Sequence, residues 1–349
     1  MTCPNASHQH GRKPLFFKLA STVLIILAVS MGLFLSACSG SDGSDKTSGN
    51  PSTGTAAVSP KTIKVGTMPT EDMLPYWVAA QDGVFAANGL DVQVITFQSA
   101  QELSTALTAK EIDMAMTDTM VSASLEAGGT PVDILWVTLG LTPEQGRFGI
   151  LVNPSSGITS VDQLAGQPIA LSSNTILEYV TDGILGAAGL SPDQIVTTEV
   201  KKVPVRYEMV AAGQVAAAAL PASLLYMGEK NGLVVIADDT QGANLSQSVM
   251  IARSDFLDST DAATMDALKT SWNQAVDLIA ANPDSYRDLL AQNAQLPDSI
   301  AGDYPISDYP KAQLPSQDTI DAVLQWMDAK GYLQKPVSYN AQTGALSLD

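Results

Sequence analysis

From Lys61 onward the chain alternates short strand patterns with helical ones, pauses, and then repeats that rhythm; no other feature narrows its folds as much. "TIKVGTM" predicts a strand, "LPYWVAAQDGVFAANG" one helix closing on Gly89, and "LDVQVITF" a second strand of period two. "AQELSTALTAKE" and "TMVSASLEAGG" read as helices, "IDMAMT" and "VDILWVTLG" as strands. "RFGILVNP" is a further strand, after which the alternation restarts. "SVDQLAG" is a short helix, "PIALSS" a strand and "TILEYVTDGILGAAGL" a helix. The pairs "QIVTTEVK" with "VRYEMVAAGQV" and "AAAALP" with "ASLLYMGEKNG" follow, and "LVVIADD" is the last strand of the series. "SQSVMIARSDFL" then leads into a largely helical tail. Strands alternating with helices through short loops predict mostly parallel sheets covered on both faces. The two series differ too much in sequence to be a repeat.

The N-terminal segment bears on location. Arg12, Lys13 and Lys18 precede an apolar run from Leu19 to Ala37. Leu35-Ser36-Ala37-Cys38 resembles the bacterial lipobox. Two readings fit: a lipoprotein signal over 1–37, cut before a lipidated Cys38, or an uncleaved membrane-spanning helix. Both put the basic residues inside and everything after Cys38 outside. Two acyl chains on Cys38 would hold the protein firmly at the membrane. Residues 38–60, rich in Ser, Gly, Thr and Asp, predict a flexible tether.

Composition excludes several kinds of chemistry. Residues 1–37 hold three of the 18 basic residues and none of the 36 acidic ones, leaving 15 basic against 36 acidic, a net charge of −21. Such a surface repels nucleic acid and anionic lipid head groups. Both histidines, His8 and His10, lie in the signal region, as does Cys3. The processed chain would have no disulfide, no histidine-based nucleophilic scheme and no His- or Cys-rich zinc site. No cofactor and no metal are expected.

Ligands of open α/β sheets sit beyond the C-terminal strand ends, where the next helix presents unpaired N–H groups. Five junctions qualify: "MPTEDMLPYW", "FQSAQE", "MTDTM", "LSSNTILE" and "LPASLL". The candidate ligand-binding residues are Thr70, Glu71, Asp72, Tyr76, Gln98, Ser99, Asp118, Thr119, Arg147, Ser173, Asn174, Thr175 and Pro221. Each has a plainer reading. Thr175 with Glu178 fits a capping box, and Thr70, Ser99 and Asp118 fit helix N-caps. Tyr76 and Trp77 are stacking candidates or core, Trp77 being the better core candidate. Arg147 and Arg206 are the cations available for an acidic group, with a solvated charge the plainer reading of Arg206.

The stretch "YWVAAQDGVFAANGLDVQVITF" resembles the opening of bacterial solute-binding proteins of the sulfonate, nitrate and thiamine-precursor group. These are the SsuA/THI5-like substrate-binding components of ABC transporters. "LTAKEIDMAMTDTMVSASLEAGG", "ITSVDQLAGQPIAL" and "LPSQDTIDAVLQWMDAKGYL" are similar to later blocks of that family, in the same order. The resemblance implies an α/β, two-lobed type II periplasmic-binding-protein fold, each lobe a mostly parallel sheet flanked by helices, joined by a two-segment hinge. The lobes would be 61–147 with 246–349, and 148–245. It also implies a small-molecule solute held between the lobes and delivered to an ABC permease and its ATPase. The lipid on Cys38 would anchor the receptor at the outer face of the cell membrane. The markers of the pyrimidine-binding members are not evident here. Two alternatives stand beside this reading: a solute-sensing lipoprotein, or an enzyme on the same fold of the thiamine-pyrimidine or menaquinone-pathway type. The pyrimidine synthases use an active-site histidine, which the processed chain would lack, and both kinds of enzyme work in the cytoplasm.

Overall fold

Strands buried on both faces carry unbroken apolar runs, and the centres of both sheets are built from such runs. The computed structural model describes residues 61–348. The expected signal, Cys38 and the tether 38–60 lie outside the described residues. Among the described residues no helix is long and apolar enough to cross a membrane.

The first series runs β1 (Ile63–Thr67), α1 (Leu74–Gln81), α2 (Val84–Ala87), β2 (Val92–Thr96), α3 (Ala100–Thr108), β3 (Met114–Asp118), α4 (Thr119–Ala127) and β4 (Val132–Leu139). The single helix expected over 74–89 is two pieces. Gly83 adopts φ +71°, a left-handed conformation that glycine enters without steric cost and that ends the first piece. The chain then crosses to β5 (Phe148–Val152), β6 (Pro168–Leu171), α5 (Ile176–Ala187), β7 (Val196–Glu199), α6 (Val203–Ala211), β8 (Ala217–Pro221), α7 (Ala222–Lys230) and β9 (Val234–Asp238). It returns as β10 (Ser248–Arg253), α8 (Ser254–Asp258), α9 (Ala262–Ala281), α10 (Arg287–Asn293), α11 (Asp298–Ala301) and α12 (Gln317–Ala329). A hairpin of β11 (Val337–Tyr339) and β12 (Leu346–Leu348) ends the described chain; the sequence reading did not anticipate it. "SVDQLAG" forms a 3-10 turn, Val161–Leu164, rather than an α-helix.

The first sheet has the order β2-β1-β3-β10-β4 and the second β7-β6-β8-β5-β9. In each, four strands run one way and one runs against them: β10 between β3 and β4, and β5 between β8 and β9. Each reversed strand is the first after a crossing of the chain. All residues of β5, β8 and β10 are buried, whereas the edge strands β2 and β7 are largely exposed or half-buried.

The two crossing segments touch backbone to backbone. Gly140 sits at φ +78°, and a Cβ there would lie 2.0 Å from the Ser246 carbonyl oxygen. At the start of β5, Arg147 is paired with Glu229 of α7 at 3.0 Å and Asp238 of β9 at 2.7 Å. Buried Asp239 accepts the Phe148 N–H at 2.9 Å. Under the first sheet, Trp272 is fully buried, its ring 5.8 Å from Tyr76 and 6.0 Å from Trp136. Its indole N–H donates to the Pro310 carbonyl at 2.9 Å.

Candidate solute-binding cleft

The C-terminal strand ends of the two sheets face one another across a cavity of about 380 Å³. That volume is at the small end of the range for organic ligands. From the first lobe the wall is built by residues after β1 (Met68 to Thr70, with Asp72), after β2 (Gln98 to Gln101) and at the end of β3 (Met116 to Asp118). From the second lobe it is built by Ser172 and Thr175 after β6, by Lys201, Val203, Pro204 and Arg206 to Glu208, and by Pro221, Ser223 and Leu224. Phe148, Ile176, Leu177, Met227, Ser248 and the loop Ala294 to Pro297 complete it.

Eight of the candidate residues lie at or beside this wall. Asp72 lines the cavity, its Oδ2 accepting from Ser248 Oγ at 3.1 Å and Thr70 Oγ1 at 3.3 Å. Thr70 lines it too but makes no side-chain cap. Ser99 caps α3, accepting from Glu102 N at 3.2 Å, and lines the cavity with Gln98. Asp118 caps α4 through Val121 N at 2.8 Å and, with its other oxygen, accepts from Ile176 N of the second lobe at 3.1 Å. Thr175 and Pro221 begin α5 and α7 at the wall. Glu71 is buried just behind it, bonded to the Tyr304 hydroxyl at 3.0 Å.

The other candidates fall elsewhere. Tyr76 is fully buried in the core, 5.1 Å from Phe85 in an edge-on arrangement, because its face of α1 packs against α9. Trp77 is also buried, so both aromatics are core. Arg147 lies outside the cavity wall, held by Glu229 and Asp238. Thr119 is buried in the first turn of α4, off the wall. Ser173 and Asn174 are set back, the first bonded to Glu199 and the second to Ser124 Oγ at 2.7 Å. Thr175 forms no capping box: its hydroxyl donates to Ser172 O, and Glu178 accepts from Asn174 N instead.

Arg206 corrects the reading of a solvated charge. It is 2% exposed and lines the cavity, its Nη1 donating to the Ala219 carbonyl at 3.0 Å. Among the described residues its Nε has no partner. The one signal in the sequence was its place in the first turn of a helix, where a cation is unfavourable without a reason. Burial lowers its pKa to about 10, with Glu199 opposing that shift.

Electrostatics distinguish the first-lobe wall. Burial raises Glu71 and Asp118 above the ordinary carboxylate range. Burial and the neighbouring Glu71 push Asp72 up to about 7, against its hydroxyl bonds. A carboxyl raised in this way binds more protons folded than unfolded, so stability falls as pH climbs from about 4 to about 7 and levels off above. Asp72→Asn is therefore expected to flatten that slope. It should raise the melting temperature at pH 7.5 by roughly 4–8 °C, the size of about 2 kcal/mol in a chain this long. Calorimetric melts from pH 4 to 8 test this; an unchanged slope would mean that Asp72 is ionised throughout.

Several contacts hold the two lobes together around the cavity. Lys201 Nζ donates to Gln101 Oε1 at 2.6 Å and Lys230 pairs with Asp303 at 2.5 Å. Glu178 on α5 is a hub: it pairs with Lys330 at 3.0 Å and accepts from the Tyr332 hydroxyl at 2.8 Å and Asn174 N at 2.6 Å. Beside it Asp182 accepts from the Trp326 indole at 2.8 Å.

Known proteins share this architecture. The alkanesulfonate-binding protein SsuA from Xanthomonas axonopodis pv. citri, bound to MOPS, superposes with a TM-score of 0.69 at 20% identity, over 80% of this chain and 96% of that one. The periplasmic aliphatic sulphonate binding protein SsuA from Escherichia coli gives 0.66 at 18% identity, over 80% and 95%. The periplasmic nitrate-binding protein NrtA from Synechocystis PCC 6803 gives 0.65 at 18%, over 79% and 83%. At these identities the likeness establishes the periplasmic-binding-protein fold. No curated protein sequence matches the chain. Residues 70–286 match the family described as NMT1/THI5 like, and with most of its length inside that match the chain belongs to the NMT1/THI5-like family.

Proposed function

We propose that the protein is the solute-binding component of an ABC importer. It captures a small organic molecule between a lobe of 61–147 with 246–349 and a lobe of 148–245, and presents it to a membrane permease and its ATPase. Cys38 carries the lipid that keeps it at the outer face of the membrane, as the lipobox-like "LSAC" suggests. Binding solute to both walls would favour the closed state, which is what a permease can recognise. The fold shared with sulfonate- and nitrate-binding proteins supports this reading.

The observation that carries it is the two-walled cavity, with Asp118 of one lobe bonded to the first N–H of α5 in the other. The site has buried polar and charged groups to hold a molecule from both sides. The test is a thermal-shift screen of the full chain in detergent against sulfonates, amino acids, nitrate, pyrimidines and small carboxylic acids. A solute at 100 times its Kd is expected to stabilise the fold by about 2.7 kcal/mol, raising the melting temperature by roughly 5–10 °C. Conversion of any such solute by the protein alone would overturn the receptor reading.

A further inference from the structure

The two walls of the cavity carry opposite buried charge. On the first-lobe side Glu71, Asp72 and Asp118 are all buried, and no Lys or Arg among the described residues pairs with any of them. On the second-lobe side Arg206 is buried; among the described residues no carboxylate forms a salt bridge with it, Glu199 acting on it only from further off, and its Nε is unbonded. Lys201 and Glu208 also reach the cavity, but both are exposed at its rim and opposite in sign. Much of the remaining lining is apolar, including Met68, Met116, Phe148, Leu177, Leu224 and Met227. A buried charge without a partner is costly, and a ligand that supplies the partner recovers that cost on binding.

Several of the N–H groups that could receive a sulfonate or nitrate at the strand–helix junctions are already filled. Glu102 takes Gln98 N, Asp118 takes Val121 N and Ile176 N, Glu199 takes Ser173 N, and Glu178 takes Asn174 N. The protein's own carboxylates occupy the positions of an anion. Two charged groups stand apart: Asp72, a carboxylate held only by hydroxyls, and Arg206, whose Nε has no acceptor among the described residues.

We infer that the cleft takes a dipolar solute with an apolar spacer, its protonated amine against Asp72 and Asp118 and its carboxylate, or an equivalent acceptor, on Arg206. This assignment rests on the solute-receptor reading and names the chemical class of its cargo. It sets this site apart from one that grips a lone anion. Asp118 serves in it twice, as an anionic wall for the amine and as the stopper that excludes a free anion from the N-terminus of α5.

The test is calorimetric titration of the full chain in detergent with ω-amino acids from 4-aminobutanoate to 8-aminooctanoate, and with alkylamines and alkanesulfonates of matching length. The best ω-amino acid is expected to bind at least about 10-fold tighter than the sulfonate of its length. Arg206→Met should abolish its advantage over the matching amine, and Asp72→Asn should weaken it about 10-fold or more. The wild-type comparison stands even where a variant fails to fold. Sulfonates binding as tightly as the ω-amino acids, or no ω-amino acid binding at all, would overturn the assignment. In the first case the receptor reading survives; in the second the wider solute screen judges it separately. Chemical conversion of a bound ω-amino acid would sink the receptor reading and leave the charge pattern intact.

Discussion

Trp272→Ala is expected to destabilise the protein by about 3–5 kcal/mol, as large-to-small changes at a sealed aromatic site do. The indole is fully buried among Tyr76 and Trp136, and its N–H is the donor to the Pro310 carbonyl. Alanine leaves both a cavity and a stranded carbonyl. Trp272→Phe separates the two, keeping most of the volume and losing about 1 kcal/mol for the hydrogen bond. Denaturant melts of both variants give the comparison. Solute affinity should fall in Trp272→Ala as well, because α1 carries Tyr76 against this indole and also fixes the turn that presents Asp72. A loss below about 1 kcal/mol would mean that the surrounding helices collapse into the gap.

Glu178→Ala is expected to loosen the grip between the lobes. It strips an acceptor from the Tyr332 hydroxyl and the Asn174 N–H and one of two carboxylates from Lys330, which keeps Asp182 at 2.7 Å. Losing hydrogen bonds to a buried carboxylate costs about 1–3 kcal/mol. Borne by the closed state alone, that moves the open-to-closed ratio about 10-fold or more. Spin labels at Thr105→Cys and Val205→Cys, on exposed positions of α3 and α6, should report a longer distance in the solute-free variant. A lower melting temperature with an unchanged label distance would show that the cluster serves folding and not closure.

The layered α/β plan was legible because its central strands must be apolar on both faces. "FGILV" and "VMIA" admit little else, and the helices between strands are bracketed by glycine and small polar residues. Smaller features were not. The hairpin strands at 337–339 and 346–348 have three residues each, too few for a period to show. The break at Gly83 depends on a left-handed backbone that a glycine permits but does not announce. At the cleft, the junctions could be found but not the direction of each side chain. Tyr76 and Asp72 lie four residues apart, and one faces the core while the other faces the cavity. Arg147 and Arg206 look alike in sequence. Only the fold brings Glu229 and Asp238 to the first and withholds a carboxylate from the second.

β10, seated between β3 and β4 in the first sheet, reaches that place only after β5 to β9 have run their course. A chain emerging from its N-terminus therefore holds a first sheet with an empty middle lane until residue 253 is available. The second sheet, contiguous in the chain from 148 to 238, has every strand it needs before then. The inserted half is thus the earlier-born body, and the outer half ripens around it. A released fragment ending at residue 245 should protect the second sheet from protease while leaving β3 and β4 open to cleavage.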